Sequence, residues 1–160
     1  MKTLVVISDT HGSSKGVEKM RSIFQENDFI LHLGDGFSES RALIGEYLEK
    51  TYACAGNCDI FCPLPDEGVL EVESVKILYC HGHKYGVKST LARLVQEAKR
   101  QDCDLVLYGH THTARIDEID GVMLVNPGSL RYPAGEGGSY AYLVVNGKKI
   151  TPVVVGESVF

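Results

Sequence analysis

Asp9, His11, Asp35, Asn57, His81, His110 and His112 are the side chains of this sequence whose types and spacing can do chemistry together. Each follows a short apolar run. Val5-Val6-Ile7-Ser8 leads to Asp9-Thr10-His11, and Ile30-Leu31-His32-Leu33 leads to Gly34-Asp35. Tyr52-Ala53-Cys54-Ala55 leads to Gly56-Asn57-Cys58-Asp59, and Ile77-Leu78-Tyr79-Cys80 to His81-Gly82-His83. Leu105-Val106-Leu107-Tyr108 leads to Gly109-His110-Thr111-His112. Carboxylates, an amide and imidazoles together suit first-row divalent ions such as Mn, Fe, Ni or Zn, not Ca. Seven such donors exceed what one ion needs once water is included. They fit two ions sharing a bridging carboxylate, about 3.5–4 Å apart. No serine or cysteine nucleophile recurs with a base at helical spacing.

Two divalent ions, two carboxylates and a bridging hydroxide leave a net positive charge. That favours an anionic substrate, and a phosphate ester is the natural candidate. The expected reaction is in-line attack on phosphorus by the metal-bridging hydroxide.

These donors need elements to carry them. The apolar runs read as strands, and the segments between read as helices with core-facing stripes. Residues 14–26 carry Val17, Met20, Ile23 and Phe24; residues 40–50 carry Leu43, Ile44, Tyr47 and Leu48; residues 88–100 carry Leu91, Leu94, Val95 and Ala98. Residues 68–73 and 75–80 read as strands joined by a tight turn. Asp120-Gly121 and Asn146-Gly147 suit the left-handed turns of two later hairpins. Strand–helix alternation followed by an antiparallel end predicts an α/β or α+β sandwich of two sheets flanked by helices. In open α/β sheets ligands bind beyond the carboxyl ends of the strands. If the five strands share a sheet, all five clusters converge on one edge.

A chain of 160 residues predicts one domain over 1–160, large enough to fold without disulfides or a structural metal. The formal net charge of −5 argues against gripping long nucleic acid, which rests on clustered Lys and Arg. The five cysteines are odd in number and form no CxxC pair, which reads as reduced thiols in a cytoplasmic protein. No stretch approaches the roughly 20 apolar residues of a membrane span. The two C-terminal hairpins leave a homo-oligomer open.

In order and type, Asp9-Thr10-His11, Gly34-Asp35, Gly56-Asn57-Cys58-Asp59, His81 and Gly109-His110-Thr111-His112 resemble the motifs of the calcineurin-like metallophosphoesterase superfamily. The resemblance runs from residue 9 to about 130. Gly-Asn-Cys-Asp and Asn126-Pro127-Gly128-Ser129 are similar to the short bacterial and archaeal YfcE-type phosphodiesterase branch. The resemblance implies two mixed sheets packed face to face with helices outside. It implies one ion on Asp9, His11, Asp35 and His112, a second on Asp35, Asn57, His81 and His110, and Asp35 bridging. Manganese comes first among the candidate ions, with Ni, Fe, Zn and Mg also open.

One departure concerns the proton donor. Where the superfamily places a histidine that protonates the leaving group, this sequence has Cys58. Cys58 can act as a weak acid, His83 or a water held by Asp59 can substitute, or the substrate can be one whose leaving group needs little help. Asn57 and Arg131 are further candidates for contact with the substrate. Plain alternatives stand beside these readings: an Asx turn for Asp59, loop positions for His83 and Arg131, a satisfied core histidine for His32, and apolar packing for Cys54, Cys62, Cys80 and Cys103. The resulting expectation is a metal-dependent phosphodiesterase acting on a small phosphoester. A phosphomonoesterase or nucleotide phosphatase on the same site is the alternative. A non-catalytic binding scaffold, like the retromer-subunit branch of the fold, is a third.

Overall fold

The structure is a computed structural model, and residues 1–131 and 138–156 are described. Ten strands form two five-stranded mixed sheets. The first sheet takes β1 (Lys2–Ile7), β2 (Phe29–His32), β3 (Thr51–Ala53), β9 (Ser139–Asn146) and β10 (Lys149–Gly156). The second takes β4 (Glu67–Val72), β5 (Val75–Cys80), β6 (Leu105–Tyr108), β7 (Arg115–Ile119) and β8 (Val122–Asn126). Their orders are β10-β9-β1-β2-β3 and β4-β5-β6-β8-β7. The helices are α1 (Ser14–Lys19), α2 (Arg21–Glu26), α3 (Phe37–Glu46) and α4 (Ala92–Arg100).

Side chains alternate across a strand, and the central strands are covered on both faces. From β1, Leu4 and Val6 point into the layer between the sheets, where they join Leu31, Ile77, Leu105 and Val125. Val5 and Ile7 point the other way, to Met20, Phe24 and Leu43 of the helical layer. On the far side, Leu94, Val95 and Ala98 of α4 cover Leu78, Val106 and Leu124. Burial on both faces explains why these runs read as continuously apolar.

The two sheets and flanking helices are those expected. Several details differ. The five motif-bearing strands do not share a sheet: β1, β2 and β3 lie in one, β5 and β6 in the other. The motifs converge because the carboxyl ends of both parallel sets meet at the same rim. The helix expected over 14–26 is interrupted at Met20 (φ −90°, ψ 3°). The second helix starts earlier than expected, at Phe37, and gives way after Glu46 to a 3-10 turn at Leu48–Lys50. The last helix begins only at Ala92, after a 3-10 turn at His83–Tyr85 that a left-handed Gly86 (φ 67°) ends.

Candidate metal centre

Strand ends deliver the donors, and the backbone then turns sharply. Asp9, His11, Asp35, His110 and His112 all have positive φ, between 43° and 69°. Such values are uncommon outside glycine and tend to occur where surrounding structure imposes them. They aim successive side chains into one space instead of alternating them across a strand.

Close packing of the loops leaves no room for a Cβ at the motif glycines. On Gly56 it would sit 2.1 Å from Asp35 Oδ1, and on Gly109 2.0 Å from Ser8 Oγ and 2.8 Å from Asp9 Oδ2. These glycines allow the loop backbone to lie directly against the carboxylates.

Asp9, Asp35 and His81 form the buried floor of the site. Asn57, Cys58 and His112 form an exposed rim. Asp9 Oδ2 accepts from Ser8 Oγ at 2.5 Å and from the His110 N–H at 3.0 Å. Asp9 Oδ1 is buried with no hydrogen-bond donor. His112 Nε2 comes to 3.0 Å of it without hydrogen-bond geometry, and His11 and His81 Nε2 lie at 3.7 and 3.9 Å. His11 and His112 face each other, Nε2 to Nε2, at 3.3 Å. His81 Nε2 is 3.3 Å from Asp35 Oδ2 and 3.1 Å from Asn57 Oδ1. A buried carboxylate oxygen costs free energy without a partner. Imidazole nitrogens converging on it are a set that fits a cation.

Two donor groups stand side by side. Donor atoms of Asp9, His11 and His112 lie within 4.8 Å of one another, as do those of Asp35, His81 and His110. Asp35 also reaches the first group, with Oδ2 at 3.8 Å from His11 Nε2. His81 Nδ1 donates to the Leu33 carbonyl at 2.7 Å, which in the neutral ring leaves the Nε2 lone pair for a ligand. Burial acts to lower the His81 pKa, but the Asp35 hydrogen bond and the charges of Asp9 and Asp35 outweigh it and the net shift is upward. Burial acts to raise the Asp35 pKa, yet hydrogen bonds from His81 and the Cys58 N–H hold it well below the usual carboxylate range. Burial, with the nearby charges of His81 and Lys88, pushes His110 down to about 4, so its ring is neutral near pH 7.

The remaining candidates divide. Asp59 faces the backbone: its two oxygens accept from the N–H groups of Asp35, Gly36, Phe37 and Gly56 at 2.8–3.0 Å. It thereby caps α3 from outside the helix and holds the Asp35 loop against the Asn57 loop. Cys58 donates its N–H to Asp35 Oδ1 at 2.7 Å. Its thiol receives a bond from Asn57 Nδ2 at 3.3 Å. Residual desolvation and the adjacent Asp35 push the thiol pKa up, so it stays protonated. Arg131 lines a cleft of about 430 Å³ with His11, Asp35, Cys58 and Asp59. The His83 ring centroid lies 5.4 Å from that of His81 and 6.1 Å from that of His110, and its buried Nδ1 has no hydrogen-bond partner.

His32 is fully buried and satisfied. Its Nδ1 accepts from the Gly34 N–H, and its Nε2 meets Thr10 Oγ1, which donates to Glu39. Three supporting residues escaped the sequence reading. Ser8 bonds Asp9; Asn126 Nδ2 donates to the Gly109 carbonyl and Thr111 Oγ1; Ser129 Oγ donates to the Asp9 carbonyl. The only signal for the last two is the Asn-Pro-Gly-Ser segment itself.

The chain is similar to known proteins. A 131-residue stretch is 34% identical to a probable metallophosphoesterase, YsnB, of Bacillus subtilis, covering 81% of this chain and 76% of that protein. Phosphodiesterase YfcE of Escherichia coli is 28% identical over 160 residues, covering 84% of this chain and 83% of its own. A crystal structure of a predicted phosphoesterase from Streptococcus pneumoniae superposes with a TM-score of 0.83 at 26% identity, covering 98% of this chain and 90% of that one. Residues 1–148 match the model of the calcineurin-like phosphoesterase superfamily domain. With the motif order, the paired donor groups and the two-sheet fold in agreement, the chain belongs to the calcineurin-like phosphoesterase superfamily.

Proposed function

We propose that this chain is a phosphodiesterase with a dinuclear metal centre, one ion held by Asp9, His11, Asp35 and His112 and the other by Asp35, Asn57, His81 and His110. The observation that carries the proposal is the pair of three-residue donor groups facing one another around the unpartnered Oδ1 of Asp9. Phosphodiesterase YfcE supports the reaction class by its similarity. Manganese is the first ion to try, since mixed oxygen and imidazole donors accept it readily. A single domain over 1–160 and a reducing, cytoplasmic setting complete the reading, in keeping with five free cysteines.

When bound, such ions lower the pKa of a shared water and polarise the phosphorus–oxygen bonds. The residues set the rest. Asp9 and Asp35 place negative charge at the floor, so the substrate phosphate enters from the rim. The Leu33 carbonyl fixes the orientation of the His81 ring. Arg131, across the cleft, offers a guanidinium to a phosphate oxygen. Cys58 presents a neutral thiol where an acid would stand, so esters with good leaving groups react best.

Turnover of bis(4-nitrophenyl) phosphate and of 4-nitrophenyl phosphate, each with and without manganese, tests the proposal. Metal-stimulated cleavage of the diester in preference to the monoester is the expected result. A monoester preference selects a phosphomonoesterase instead, and no metal-stimulated turnover of either rules out both.

A further inference from the structure

A third group of donors overlaps the two already described. Cys58 Sγ, a ring nitrogen of His11 and a carboxylate oxygen of Asp35 lie within 4.8 Å of one another. Three donors sharing one ion at about 2.0–2.3 Å from it stand on average no more than about 4.0 Å apart. The exposed Cys58 side chain must therefore close by up to roughly 1 Å for all three to bind one ion. His11, Asp35 and Cys58 all line the 430 Å³ cleft, whereas Asp9, His81, His110 and His112 do not. The sulfur-containing group thus faces the direction from which an ion or substrate arrives.

The chemistry of its donors differs from that of the cage behind it. Thiolate is a soft ligand and selects thiophilic ions, while carboxylate suits manganese or magnesium and imidazole suits zinc, iron or nickel. We propose that Cys58, His11 and Asp35 form a capture site for thiophilic divalent ions at the mouth of the cleft, competing with the cage for His11 and Asp35. Binding forms a metal–sulfur bond and breaks the S–H bond, with the proton going to solvent and no change in oxidation state. An ion held there withdraws two donors from the cage and stands in the substrate's path. Hard ions leave the thiol free. The site does not depend on which phosphoester the chain cleaves.

Cadmium titration of the metal-free protein, followed by ultraviolet sulfur-to-metal charge-transfer absorption, tests this. Wild type is expected to gain the band at the first equivalent of cadmium, and manganese is expected to give none. Cys58→Ser should lose the band, whereas Cys62→Ser, which alters the next cysteine along the loop, should keep it. In the manganese-loaded enzyme, inhibition by cadmium should be at least about 10-fold weaker for Cys58→Ser than for wild type, the lower end of what loss of a site-fixing group costs. A band that persists in Cys58→Ser, or cadmium bound by wild type without a band, overturns the proposal. If the band behaves as expected but no phosphoester is cleaved, the capture site stands and the phosphodiesterase reading falls.

Discussion

Asp59 Oδ2 accepts the backbone N–H of Asp35 at 2.8 Å, and the same carboxylate accepts three further N–H groups, two of them at the start of α3. A carboxylate at a helix N-terminus meets both the free N–H groups and the positive end of the dipole. Here it also sets the position of Asp35, which belongs to one donor group and lies 3.8 Å from His11 of the other. Asp59→Asn puts an NH2 group against N–H donors. The expected loss is about 2–3 kcal/mol of stability, the scale of a broken charge-assisted hydrogen bond. Metal affinity should fall by about 10–100-fold, as when a group orienting a ligand is removed. Urea unfolding and metal titration measure the two. Unchanged affinity with reduced stability would show that Asp59 caps the helix without positioning Asp35.

Gly56→Ala and Gly109→Ala test the close approach of backbone to carboxylate. The methyl on Gly56 collides with Asp35 Oδ1 and the fixed Asp35 backbone N, and that on Gly109 with Ser8 Oγ and Asp9 Oδ2, which can yield only by breaking the hydrogen bond between them. Overpacking of this kind costs about 1–3 kcal/mol. The variants should fold, with lowered unfolding temperatures, and should bind less than the wild-type complement of metal. Gly121→Ala is a control for lost stability away from the site, since its φ of 79° strains an alanine whose Cβ meets nothing within 4 Å. It should lose stability and keep its metal.

That Asp9, His11, Asp35 and the histidines after β5 and β6 would meet was legible in the sequence because chemistry restricts them: they have few uses in a core. The sandwich was legible because Leu4 and Val6 must bury one face of β1 while Val5 and Ile7 bury the other. Which sheet each strand joins was not, since pairing partners leave no local pattern. Nor was the left-handed backbone at Asp9, His11, Asp35, His110 and His112, which loops from elsewhere in the chain impose. Ser129 on the Asp9 carbonyl lies 120 residues from its partner, and no spacing rule spans that distance.

Metal-free protein should lose stability as pH falls below neutral. Burial holds His32 down to about 4, and burial with the charges of His81 and Lys88 does the same at His110. Both rings ordinarily titrate near 6.5. The unfolded chain therefore takes up protons below that pH before the folded one does, and stability drops between about pH 6.5 and 4. For His32 the loss is on the order of 3 kcal/mol. His81 acts in the opposite sense: its raised pKa contributes stability below 6.5 that is lost as pH rises through the folded value. Burial and the charges of His81 and Lys84 also lower His83, so with three lowered rings against one raised the midpoint in urea should still fall from pH 7 to pH 5. His32→Gln, which keeps a donor for Thr10 and an acceptor for Gly34, should flatten that fall. A midpoint that rises toward pH 5 would mean the raised His81 dominates.

Cys58→His tests where the missing proton donor belongs. The wild-type thiol is held protonated beside Asp35 and is a poor acid near neutral pH. An imidazole at the same exposed rim position titrates close to pH 7 and can protonate a departing alkoxide. A nitrophenolate leaves without that help, an alkoxide does not. The variant should therefore raise turnover of an unactivated dialkyl phosphodiester by about 10²-fold or more, the range of general acid catalysis, while changing bis(4-nitrophenyl) phosphate turnover far less. The gain should fade at pH values above the new imidazole's pKa, where it no longer carries the proton. An equal gain on both substrates would instead point to a change in metal binding, which manganese titration of this same variant would detect.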